Sequence, residues 1–230
     1  MSKVAWLSVI FSFFFFQFVL AQEKKDSIGA RFQISFRNDP LQLNKSYISD
    51  AKDTLKISTL RFYISGMKVE YTDATVTSPK KKYALLDIEN PATLQIPIAA
   101  NSNKKISKIT FNIGVDSLMS VSGAMRGDLD ASNGMYWAWQ SGYINMKIEG
   151  TSKSCKTRKN EFQFHIGGYL KPNYAMRTIT VAPHKSDLII VVDVAELFSK
   201  INLSETNSIM IPGAKAMEIA DYASKMFRVE

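Results

Sequence analysis

Apolar residues return at every second position in a succession of short stretches separated by polar, turn-forming clusters. In Arg31-Phe32-Gln33-Ile34-Ser35-Phe36 the side chains of Phe32, Ile34 and Phe36 fall on one side, which is the period of a strand with one buried face. The pattern recurs in Ile57 to Val69, Tyr83 to Ile88, Lys105 to Ile113, Gly134 to Glu149, Glu161 to Ile166, Arg177 to Val181 and Asp187 to Val194. Clusters such as Thr72-Asp73-Ala74, Ser78-Pro79-Lys80, Asn101-Ser102-Asn103 and Pro183-His184-Lys185-Ser186-Asp187 stand between them and carry turn chemistry. Stacking two sheets buries such alternating faces, so the pattern predicts an all-β fold, an antiparallel β-sandwich. Helix is scarce: Ala195-Glu196-Leu197-Phe198 starts a short turn, and Ala214 to Phe227, after Pro212-Gly213, predicts a short C-terminal helix.

One stretch breaks its own period. Between Gly134 and Glu149, Met135, Trp137 and Trp139 share one parity while Ile144, Met146 and Ile148 share the other. Strict alternation would put one set in water, so a β-bulge or bend is expected at Gln140-Ser141-Gly142.

The beginning of the chain follows different rules. Lys3 supplies one positive charge, an apolar block runs from Val4 to Leu20, and Val19-Leu20-Ala21 precedes the polar run Gln22-Glu23-Lys24-Lys25-Asp26. That is the layout of a secretory signal peptide over residues 1–21, cut before Gln22. An uncleaved anchor is the competing reading, since ~18 apolar residues can span a bilayer; the polar run after Ala21 favours cleavage and no lasting membrane span. Residues 22–230 then form one domain, periplasmic or secreted. Losing Lys3 lowers the formal charge from +8 to +7; a basic balance of this size serves solubility, and export makes nucleic acid a poor partner.

Candidate chemistry is sparse. There is no Gly-x-Ser-x-Gly elbow, phosphate loop, His-Glu-x-x-His pair or Cys-x-x-Cys, so the chain is not expected to be an enzyme. Cys155, alone in a polar segment, can form no internal disulfide; an exposed thiol there could cross-link two chains, and an incidental cysteine is the plainer reading. Asp128 and Asp130 lack the acidic twelfth position of a calcium loop and read as turn formers. His165, in Glu161-Phe162-Gln163-Phe164-His165-Ile166-Gly167-Gly168, lies on the parity opposite to Phe162, Phe164 and Ile166. It reads either as a metal ligand through a neutral ring nitrogen or as an ordinary hydrogen-bonded histidine. His184 sits in a turn, and only if the fold unites the two histidines, with Met135 or another sulfur, does a soft copper site follow.

Four segments together carry a resemblance. They are Leu60 to Val69, Gly127-Asp128-Leu129-Asp130 leading into Asn133-Gly134-Met135-Tyr136-Trp137-Ala138-Trp139-Gln140-Ser141-Gly142-Tyr143, Phe164 to Gly168, and Val192-Asp193-Val194. The chain resembles the MbnP-like copper-binding family of exported bacterial proteins over nearly all of its mature length. The resemblance implies a periplasmic or secreted sandwich that binds copper. In some members the site uses two histidines and a tryptophan oxidised to kynurenine by a dihaem partner enzyme. His165 matches the family's His-x-Gly segment, and Trp137 and Trp139 its paired tryptophans. Where members commonly place a histidine after the first strand, this chain has Phe36-Arg37-Asn38-Asp39-Pro40-Leu41. The candidate ligand set is therefore His165 and His184 with Met135, Trp137 and Trp139. The alternative is an envelope binding or scaffold module that keeps the sandwich with a degenerate metal site and offers aromatics, Lys80-Lys81-Lys82 and Lys153 to Lys159 to a partner.

Overall fold

A computed structural model describes residues 29–98, 104–140, 142–183 and 188–229. The expected leader, 1–21, and His184 lie outside these residues. The alternating segments fold as two sheets. The smaller contains β1 (Gly29–Phe36), β2 (Asp39–Pro40), β7 (Gln95–Pro97), β13 (Ile189–Asp193) and β15 (Phe227–Val229). The larger contains β3 (Ser46–Ile48), β4 (Thr54–Tyr71), β5 (Val76–Thr77), β6 (Tyr83–Asp87), β8 (Ile106–Ile113), β9 (Tyr136–Trp137), β10 (Gly142–Ser152), β11 (Glu161–Gly167), β12 (Arg177–Val181) and β14 (Ser208–Ile209). The fold is an all-β sandwich, as the alternation predicts, although the sheets are mixed: β1 runs parallel to β13, and β11 parallel to β14.

Three long ribbons organise the larger sheet. β4 is the first. Along one edge it pairs with β10 up to Phe62 and with β8 from Ile64 onward, so β8 and β10 form a second, interrupted ribbon. The third is equally interrupted: β11 pairs with β10, and β12 with β8. Chain 114–140 leaves the second ribbon at its break, and chain 168–176 leaves the third at the same level.

The main core lies between the sheets. Phe32 meets Phe111 edge to face at 5.9 Å, and Phe227 meets both Phe62 and Phe111 at 5.9 and 5.5 Å, a geometry that aromatic quadrupoles favour. Helix α2 (Val194–Phe198) adds buried Leu197 and Phe198; α3 (Ala214–Ala223) buries Ala216, Ile219, Ala220 and Ala223. The predicted C-terminal helix is therefore present but shorter than expected, because Phe227–Val229 joins the sheet as β15. Cys155 is buried in this core. The segment is a loop, as expected, but the exposed thiol is corrected: the turn folds the Cys155 side chain inward.

Candidate functional site

The outer face of the larger sheet carries a second apolar cluster, built from Tyr63, Leu85, Val115, Leu129, Met135, Trp137, Tyr143 and Ile144. It is roofed by the 114–140 excursion, whose helix α1 (Ser117–Val121) is capped by Asp116 accepting from the Met119 amide at 3.0 Å. Tyr63 Oη donates to the Asp128 carbonyl at 2.9 Å, and Tyr143 Oη to that of Leu129 at 2.9 Å, which ties the roof to the sheet. The parity change between Met135 and Ile148 comes from a turn beside the place where a bulge or bend was expected, and not from a bulge there. The chain reverses as a hairpin, with Trp137 opposite Gly142 and Tyr136 opposite Tyr143, while a register shift in the β10–β11 ladder falls later, between Ile144 and Met146.

His165 stands on this outer face, because Phe162, Phe164 and Ile166 occupy the core side of β11. It belongs to a row across four strands, His165 opposite Lys147, Lys147 opposite Arg61, and Arg61 opposite Asp87. The ring is buried, 7% exposed, and its Nε2 lies 2.6 Å from Glu149 Oε1. Burial lowers the imidazole pKa, with the Glu149 carboxylate opposing and Lys147 adding to the fall. The neutral ring must then place its proton on Nε2, where the carboxylate accepts it, leaving the Nδ1 lone pair unprotonated.

Cations position the roof beside this ring. Lys147 Nζ donates to the Gly134 carbonyl at 2.5 Å, and Arg61 Nη1 to that of Asn133 at 3.2 Å; Arg61 is itself held by Asp87 at 2.9 Å and Glu89 at 2.8 Å. Those contacts precede Met135 directly. Burial lowers the Lys147 pKa.

The indole of Trp137 covers Gly167, the next outward position after His165 on β11. A Cβ on Gly167 would come within 2.6 Å of Trp137 Cζ3 and 2.7 Å of the Tyr143 carbonyl, so a side chain there is excluded. His165 and Trp137 are thus neighbours on one sheet face, about 7 Å apart along the strand. Trp139 stacks obliquely on Trp137, centroids 5.8 Å apart, but is 64% exposed: the hairpin turn sends it to solvent rather than onto the buried face that Met135 and Trp137 share. Met135 is fully buried in the second cluster.

Of the residues predicted as ligands, the structure brings His165 and Trp137 onto one face and buries Met135 in the adjoining cluster. His165, neutral and oriented by a carboxylate, has the arrangement found behind metal-ligating histidines. Among the described residues no group of three or more His, Cys, Asp or Glu side chains is arranged to hold a metal. Asp128 and Asp130 are turn residues: Asp130 accepts from the Ser132 amide at 2.8 Å, and Asp128 binds the Leu85 amide at 2.7 Å and Lys81 at 2.6 Å. Arg37 is engaged by Asp50 at 2.6 Å. Glu149, Lys147 and Arg61 were not among the residues singled out from sequence as site residues. Pairing the two strands of the Gly142–Gly167 hairpin would have placed Lys147 and Glu149 beside His165.

No helix of the described residues is long and apolar enough to cross a membrane. Comparison with curated proteins gives no match. Among solved structures the fold is similar to that of MbnP from Methylosinus trichosporium, with a TM-score of 0.61, 15% identity and 82% of each chain covered. The sequence profile of the MbnP family matches residues 25–211. The chain therefore belongs to the MbnP family.

Proposed function

We propose that this protein is an exported, non-enzymatic copper-binding member of the MbnP family, acting in the periplasm or outside the cell, with His165 as a ligand. The observation that carries the reading is the pairing of buried His165 with half-buried Glu149. It presents a neutral imidazole with a free Nδ1 lone pair beside the Trp137 indole, and a borderline metal such as copper accepts that donor. Copper would supply Lewis-acid or redox chemistry; the protein's own part is to hold the ring, fix its tautomer and keep water away. His184 and Met135 are the candidates for completing the set. Trp139, the exposed indole, is the one that a dihaem partner enzyme of the kind implied by the family could reach.

The test is Cu(I) affinity by competition with a chromophoric chelator. Wild type should bind near one equivalent, His165→Ala should lose the site, and Glu149→Gln should weaken it by about tenfold or more. Unchanged affinity in His165→Ala overturns the assignment. A second reading is favoured by the Lys147 ammonium opposite His165, which disfavours a cation there, and by exposed Trp139: an envelope binding module without metal. No copper after reconstitution of the folded protein decides for it.

A further inference from the structure

A second site lies away from His165, between the C-terminal half of β4 and the 78–82 segment. Here a cleft of about 380 Å³ is lined by Gly66, Lys68, Lys80, Lys81, Lys82 and Asn112, among others. Its volume is within the range of small-ligand pockets.

We propose that this cleft binds a phosphate-type dianion. Lys68 comes from one element and Lys80 and Lys82 from another, yet they converge on one cleft, and among the described residues none of the three forms an ion pair with a carboxylate. The fourth lysine of the lining, Lys81, is taken by Asp128 at 2.6 Å, which leaves three ammonium groups of the cleft without a carboxylate. A neutral donor faces it too. Asn112 Oδ1 accepts from Thr178 Oγ1 at 2.7 Å, which turns the amide NH2 toward β4; Nδ2 sits 2.8 Å from where a Cβ on Gly66 would be. Gly66 has φ of 58°, a left-handed conformation that glycine adopts freely, at a break in the β4–β8 register. A larger residue would fill the space into which that amide points. The one carboxylate in the lining, Asp116, is already occupied by the Tyr83 hydroxyl and the Met119 amide. Donors and positive charge are thus in excess, and the compact ammonium groups suit a phosphate as point charges.

Phosphate could arrive free or as a lipid headgroup. Asp116, in the lining, also caps α1, whose Leu118 and Val121 are exposed. The experiment is a titration of the 15N-labelled protein with inorganic phosphate and pyrophosphate. Saturable shifts are expected at Gly66, Lys68, Lys82 and Asn112, with at least tenfold weaker binding in the Lys80→Gln/Lys82→Gln double variant. The Lys156→Gln/Arg158→Gln double variant, altering a basic segment outside this cleft, should bind as wild type does. Flotation with phosphatidylglycerol vesicles then separates the sources. Capture lost in both the lysine variant and Leu118→Ser identifies a headgroup; phosphate binding without capture identifies a free anion; either result retains the site. Shifts spread equally over both basic segments, or no saturation, overturn it.

Discussion

Placing Trp137 over Gly167 makes a quantitative demand on Gly167→Ala. The added methyl would sit 2.6 and 2.9 Å from Trp137 Cζ3 and Cη2 and 2.7 Å from the Tyr143 carbonyl, against ordinary carbon contacts of about 3.5–4.0 Å. The indole must retreat by roughly 1 Å, and the carbonyl, part of the β10 backbone, cannot follow freely. Overpacking of this kind costs about 1–3 kcal/mol. Taking about 2 kcal/mol, Tm should fall by roughly 4–8 °C for a domain of this size. Residues 22–230 contain only two tryptophans, Trp137 and Trp139, so a Trp139→Phe background isolates the buried one. Its emission should move to longer wavelength in Gly167→Ala as the ring is pushed toward water, and the His165 ring resonances should move with it. A stability within about 0.5 kcal/mol of the parent, with an unshifted emission, would refute the contact and the shared face with it.

Two further measurements test the site and the core. Burial holds the His165 pKa below its ordinary 6.5, so the unfolded chain binds that proton more tightly; the contribution is fully present above about 6.5 and is lost as pH falls toward the folded-state value. In urea unfolding between about pH 5 and pH 8, His165→Gln should flatten that acid-side loss and Glu149→Gln should steepen it, since the carboxylate is what pulls the pKa back up; a His165→Gln profile identical to wild type contradicts this. Burial raises the Cys155 thiol, so a thiol reagent should label native protein about a hundredfold more slowly than denatured protein, and rapid native labelling would place the cysteine outside the core.

The period-two pattern located the long strands because each buries one face: Arg177–Val181 matches its observed range, and β1, β8 and β11 differ by a residue or two at their ends. It could not locate β2, β5 or β14, which have two residues each, too few for a period to register. His165 was legible as a residue pointing away from the Phe162–Ile166 face. Its burial was not, because alternation separates two faces of a strand without saying what covers the outer one. The cover comes from the 114–140 excursion, whose apolar residues Val115, Leu129 and Met135 follow no strand or helix period. The parity change at Gln140-Ser141-Gly142 was read as a bulge or bend within one strand, whereas a hairpin reversal also exchanges faces and leaves the same trace in sequence. Cys155 misled for a related reason: polar neighbours describe a segment's average exposure, and one side chain in a turn can point against it.

The position of the site follows from the ribbons. The second and third ribbons break at one level, where Ile144 pairs with Gly167 on one side and Ile113 with Arg177 on the other. Whatever leaves the sheet there must pack against whatever else leaves it, and the two excursions do meet: Ser117 Oγ donates to the Tyr169 carbonyl at 2.6 Å, and the Tyr169 ring fills the space beside Gly142. The tryptophan-rich stretch ends one excursion and the His-Ile-Gly-Gly segment begins the other, so a shared gap in the ladder brings residues far apart in sequence together. Substitutions in the main core should therefore change stability while leaving the relation of His165 to Trp137 intact. Substitutions at Gly167, Lys147 or Arg61, which fix the roof to the sheet, should alter that relation first.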